Sequence, residues 1–126
     1  MKNQILYVED NEVIRFEAGE TLTEEFWDYK IILAVNGDDV NEQIDKGIIS
    51  LEHLVMVCTD GNLGGSMTGW EVVELLRDKG YEGQALYTGG TVLPPDKEYL
   101  YSEVCYKSSL KDNLVDVVRK YLNSSS

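Results

Sequence analysis

The chain has 126 residues and a formal net charge of −12 at neutral pH, with 43% apolar and 27% charged residues. That length makes one domain, able to bury roughly two-thirds of its unfolded surface without disulfide or metal staples. The acid excess excludes a binder of phosphate backbones, which needs a basic face, and no apolar run nears the roughly 20 residues that cross a bilayer.

Met1-Lys2-Asn3-Gln4 leads straight into the apolar run Ile5-Leu6-Tyr7-Val8, without a signal-peptide pattern. Glu9-Asp10 end that run, and Asn11 can cap a helix striped by Ile14, Ala18, Leu22 and Phe26, with Gly19 a weak point in it. Ile31 to Val35 reads as a second buried strand, and Asn36-Gly37 as a turn. Asp38 and Asp39 suit the first turn of a second helix, whose stripe is Val40, Ile44 and Ile48. Leu54 to Thr59 is a third strand, buried on both faces, and it ends in Asp60 and the Gly-rich loop Gly61 to Gly65. Trp70, Val72, Val73 and Leu76 mark a third helix, closed by Lys79-Gly80. Ala85-Leu86-Tyr87 is a fourth strand, ending in Thr88-Gly89-Gly90. Pro94-Pro95 can open a short fourth helix from Asp96 to Tyr101. Val104-Cys105-Tyr106 is a fifth strand ending in Lys107. Ser109-Leu110-Lys111-Asp112 resembles a capping box for a fifth helix striped by Leu110, Leu114, Val117, Val118 and Tyr121. Residues 1–122 form the domain, and 123–126 read as a disordered polar tail.

Five strands alternating with helices imply an α/β fold: a parallel sheet covered by helices on both faces. Cys58 and Cys105 lie in apolar runs without metal or redox spacing and read as buried, reduced thiols, which with the missing signal peptide points to the cytoplasm. His53 precedes the third strand, so it belongs at the sheet edge away from the strands' C-terminal ends. Tyr87, Tyr99, Tyr101 and Tyr106 can form an aromatic patch around the last two strands.

Parallel strands present all their C-terminal ends at one edge, where open α/β sheets carry their chemistry. Glu9, Asp10, Asp60, Thr88 and Lys107 collect there. Two carboxylates about 4 Å apart repel by roughly 4 kcal/mol at an effective dielectric near 20. That repulsion raises at least one pKa unless a cation relieves it. All-oxygen ligation suits Mg²⁺, which also favours phosphate oxygens. Asp60 can then serve as the nucleophile toward a phosphoryl donor, with Lys107 and the metal neutralising the transferring group and Thr88 donating its hydroxyl to it.

With those residues at the ends of their strands, the whole chain resembles the response-regulator receiver domains of two-component signalling, chemotaxis regulators among them. The resemblance implies a flavodoxin-like (βα)5 three-layer sandwich with strand order 2-1-3-4-5. It makes Asp60 the phospho-acceptor, Asp10 a direct Mg²⁺ ligand, Glu9 a ligand through water, and the Asn62 carbonyl the remaining protein ligand. It implies a sensor histidine kinase or phosphotransfer protein as donor. It also implies a downstream protein, or a second copy in a homodimer, at the face of the fourth helix, fifth strand and fifth helix. Neither nucleic acid nor membrane is expected. Such a domain performs no conventional turnover beyond its own phosphorylation and dephosphorylation.

The chain departs from that family at Ser108, where a proline is usual, at the short stretch between Thr88 and Lys107, and at Val104, where an aromatic is usual. Ser108 and the shortened fourth-helix region leave open an alternative, a pseudo-receiver that acts only as an interaction module, and the intact Asp60 and Lys107 argue against it. Two other readings fit less well. A dehalogenase-type phosphatase needs a second Asp where Asn62 stands, and a flavodoxin needs a phosphate loop where Glu9-Asp10 would repel phosphate.

Overall fold

The computed structural model describes residues 2–89, 92–105 and 107–124, the side chains of 107–113 and 124 excepted. Five strands, β1 (Gln4–Val8), β2 (Lys30–Ala34), β3 (Leu54–Thr59), β4 (Gln84–Tyr87) and β5 (Glu103–Val104), form one sheet in the order β2-β1-β3-β4-β5. Every neighbouring pair is parallel. The architecture is therefore the expected flavodoxin-like one. Both central strands, β1 and β3, are buried along their whole length, which is why they read as unbroken apolar runs rather than alternating ones.

Helices α1 (Glu12–Glu25), α2 (Gly37–Asp45), α3 (Gly69–Asp78) and α4 (Lys107–Ser124) cover the sheet. Two cores result, one on each face. Ile5, Tyr7, Cys58 and Leu86 pack with Ala18 and Leu22 of α1 and Val118 of α4. Leu6, Val8 and Val57 pack on the other side with Val40 of α2 and Val72 and Leu76 of α3. The α1–α4 layer is also tied by Arg119, whose guanidinium bonds Glu25 at 3.1 Å and lies 5.5 Å from the Phe26 ring centre.

Local chemistry explains where the helices start. Asn11 caps α1 by accepting from the Ile14 amide at 3.0 Å. Asn36 caps α2 by accepting from the Asp39 amide at 2.9 Å, so Asn36-Gly37 is a helix start rather than a free turn. Thr68 and Glu71 form a reciprocal capping box on α3. Gly19 sits where α1 crosses β2, and a Cβ there would lie 2.8 Å from Leu33 Cδ1; close packing, not weakness, is its role.

Several elements differ from the sequence expectation. The stripe of α2 ends earlier, because the helix stops at Asp45; Ile48 is 40% exposed and Ile49 is buried in its place. The short fourth helix is a 3-10 turn, Pro95–Leu100, opened by the expected proline. β5 is only Glu103–Val104, one residue earlier than expected, and Tyr106 lies outside the described residues. α4 begins at Lys107, so Ser109 stands inside the helix and is not its cap, and Lys107 opens a helix instead of ending a strand. The same helix continues to Ser124, so Asn123 and Ser124 are helical. Cys58 and Cys105 are buried free thiols. His53 leads into β3 at the far edge, its carbonyl accepting from the amides of Asn3 and Gln4.

Candidate acidic site at the C-terminal sheet edge

β1 and β3 are adjacent and in register, with Val8 opposite Thr59, so the residues that follow them are neighbours. The ladder continues one step past the strands: the Asp60 amide donates to the Val8 carbonyl at 3.2 Å and the Thr88 amide to the Thr59 carbonyl at 2.8 Å. Glu9, Asp60 and Thr88 thus stand on one face at one level. Carboxylate oxygens of Glu9, Asp10 and Asp60 all lie within 4.8 Å of one another. Glu9 and Asp60 are buried, while Asp10 is exposed at the mouth.

The two buried acids are held firmly. Glu9 Oε2 accepts from the Asn11 amide at 3.1 Å, and Arg15 on the first turns of α1 donates back to the Glu9 carbonyl at 2.9 Å. Asp60 Oδ1 accepts from the Asn62 amide at 3.4 Å, which folds the loop back over the acid. Gly69 lets the start of α3 press on that strand end: a Cβ there would lie 1.7 Å from the Asp60 carbonyl oxygen. Gly89 lets the chain leaving β4 pass close to Asp60 on the other side.

The crowding of acids has the expected electrostatic consequence. Burial pushes the Glu9 carboxyl up to about 7, and the negative charge of Asp60 adds to it, while the Asn11 amide opposes the shift. Desolvation leads and charge repulsion follows, the reverse of the weighting expected from the sequence. A divalent cation fits this donor set, because three carboxylates supply the hard oxygen ligands and the charge that such an ion needs.

Thr88 is fully buried beside this cluster. Beneath it lies Tyr7, also fully buried, whose phenol faces the Thr88 hydroxyl and whose nearest charges include Glu9 and Asp60. Burial pushes that phenol well above its usual range, so it stays a donor. Neither Tyr7 nor Arg15 was singled out in the sequence, since a tyrosine in an apolar run reads as core. The usable signal was spacing: a long side chain two residues before Glu9 points the same way as Glu9. Asn62 is exposed. Lys107 starts α4 at the same edge of the sheet, with its side chain outside the described residues.

The aromatic patch is partly realised. Tyr87 and Tyr101 meet edge to face, with ring centres 5.3 Å apart, and the Tyr101 hydroxyl bonds Thr59 Oγ1 at 2.7 Å. Both are core residues, whereas Tyr99 is 75% exposed. Val104, at the position of the family's usual aromatic, is only partly buried.

No protein-family model matches the sequence, and no curated protein is significantly similar to it. Solved structures are. The response regulator TrrA of Thermotoga maritima, solved with Mg²⁺ and BeF, shares 26% identity and superposes with a TM-score of 0.76, covering 94% of this chain and 98% of that one. The receiver domain of an HD-domain protein from Pseudomonas fluorescens superposes at 0.80 with 14% identity, covering 99% and 98%. A CheY-like receiver domain from Methylobacillus flagellatus gives 0.75 at 18% identity, with both chains covered in full. In sheet order and in layering, the chain has the fold of response-regulator receiver domains.

Proposed function

We propose that this chain is a phospho-acceptor switch, taking a phosphoryl group on Asp60 from the phosphohistidine of a sensor kinase or phosphotransfer protein. The observation that carries the reading is the approach of the Glu9, Asp10 and Asp60 carboxylates to within 4.8 Å of one another at the C-terminal edge of the sheet. Such proximity is costly without a cation and useful with one. The TrrA structure was solved with Mg²⁺ and BeF, which supports the same metal here.

In this reading Glu9, Asp10, Asp60 and the Asn62 carbonyl hold Mg²⁺, which when bound draws charge from the phosphoryl oxygens. A carboxylate oxygen of Asp60 attacks phosphorus, and the O–P bond forms as the P–N bond to the donor imidazole breaks. The imidazole nitrogen keeps the electron pair and takes a proton. Lys107 supplies a fixed positive charge to the product, and Thr88 turns its hydroxyl toward a phosphoryl oxygen. Water later cleaves the acyl phosphate and restores Asp60. The signal leaves through the face made by the 3-10 turn, β5 and α4, where exposed Tyr99 and Val92 offer apolar contact to a downstream protein or a second copy. A cytoplasmic setting goes with such partners; no helix among the described residues is long and apolar enough to cross a membrane.

Incubation with acetyl phosphate and Mg²⁺, followed by intact-mass measurement, tests the proposal. One phosphoryl group is expected on the wild type and none on Asp60→Ala. A chain that takes no phosphoryl group and does not respond to beryllofluoride is a pseudo-receiver instead.

A further inference from the structure

We infer that Tyr7 is a positioning residue of this site, its phenol donating to the Thr88 hydroxyl and so directing the Thr88 proton toward Asp60. Tyr7 pairs across the sheet with Cys58, and Cys58 with Leu86, so these three form one row on the α1–α4 face. Two residues further along the same strands, on the same face, stand Glu9, Asp60 and Thr88. Side chains in strands lean along the strand direction. Tyr7 alone in its row is long enough to carry a polar atom up to the next level, where it faces Thr88.

Both residues are fully buried, and among the described residues neither Tyr7 Oη nor Thr88 Oγ1 has a hydrogen-bond partner of ordinary geometry. Two buried hydroxyls left apart are each a cost, and a bond between them satisfies both. The direction of the bond follows from the surroundings. Ionised carboxylates only accept. If Thr88 donated to Tyr7, the phenol proton would have to find an acid from deeper in the core. If Tyr7 donates to Thr88, the threonine proton is left at the level of Asp60. The chain Tyr7 to Thr88 to a carboxylate or phosphoryl oxygen is then polarised in one direction, and each bond strengthens the next. The neighbours of Tyr7 on β1 are Ile5, Leu6 and Val8, so the phenol is the one polar side chain sunk beneath the acids from that strand's interior.

The hydroxyl pair stands on the fold alone; its effect on phosphoryl binding rests on the proposed function. Thermal unfolding of wild type, Tyr7→Phe, Thr88→Val and the double variant, all without metal, tests the pair. The double variant should lose clearly less in Tm than the two single losses added together. Additive losses would overturn the pairing. Titration with beryllofluoride and Mg²⁺ tests the effect. Tyr7→Phe should weaken apparent binding by about 3–10-fold when Thr88 is present and by less than about 2-fold in Thr88→Val, as expected for coupling between neighbours. An equal loss in both backgrounds would reduce Tyr7 to a core residue. If the wild type binds no beryllofluoride, the phospho-acceptor reading fails, and the unfolding cycle alone decides the pairing.

Discussion

Gly89 passes so close to Asp60 that a Cβ on it would lie 2.7 Å from Asp60 Oδ1. The same methyl would meet the Gly61 amide and the Tyr87 hydroxyl, also at 2.7 Å, so it has nowhere to retreat. The bare loop after Thr88 is therefore a clearance around the proposed acceptor. Gly89→Ala should destabilise the fold by roughly 1–3 kcal/mol through overpacking and lower Mg²⁺ affinity by displacing Asp60. Urea unfolding and Mg²⁺ titration of the variant measure both. A variant with wild-type stability and metal affinity would mean that the loop can shift freely.

Glu9 gives the metal-free protein a pH dependence of definite sign. Its carboxyl is raised from 4.5 to about 7 by burial, so between those values the folded chain holds a proton that the unfolded chain has released. The Glu9 contribution to stability is therefore fully present below pH 4.5 and is lost as pH rises through 7, roughly 2–3 kcal/mol in all. Urea unfolding in EDTA at pH 5.5, 6.5 and 7.5 should show that slope in the wild type and a flatter one in Glu9→Gln. Excess Mg²⁺ should stabilise the wild type more at pH 7.5 than at 5.5, because the ion competes with the proton. Parallel pH profiles for wild type and Glu9→Gln would refute the assignment.

Tyr101 and Thr59 share one buried hydrogen bond. Tyr101→Phe leaves Thr59 without that partner and should cost about 1–2 kcal/mol. Pairing it with Thr59→Val removes both polar groups, and the double variant should recover part of the loss. A double variant as unstable as the sum of the two singles would show that the bond itself contributes nothing.

Thr68 and Glu71 close the start of α3 just after the acidic loop. Thr68→Ala should cost about 1 kcal/mol as an N-cap loss, and hydrogen exchange at the Glu71 amide should speed up. Unchanged exchange there would contradict the capping role.

The strand ends were legible because a parallel sheet converts chain order into position. Once five βα units are recognised, Glu9, Asp60 and Thr88 fall on one edge whatever packs around them. Close approach was not legible. Gly19 reads as a weak helix residue, and Gly89 as a loose loop, until Leu33 and Asp60 are seen against them. Tyr101 reads as the end of a short helix, yet it is placed by a hydroxyl on β3, 42 residues away in the chain. The Thr68-Gly69-Trp70-Glu71 capping box is readable as a motif, although the apolar stripe it runs into is the stronger helix signal. The start of α4 at Lys107 was obscured by the Ser109 capping signal two residues further on.

The central claim is that Asp60 carries the phosphoryl group. Borohydride reduction of the acetyl-phosphate-treated protein, followed by peptide mapping, reads it directly, since reduction of an acyl phosphate converts that aspartate to homoserine. Homoserine at position 60, dependent on Mg²⁺, is the predicted result. Homoserine at position 10 with Asp60 unchanged, or a phosphoryl group that survives Asp60→Ala, would contradict it.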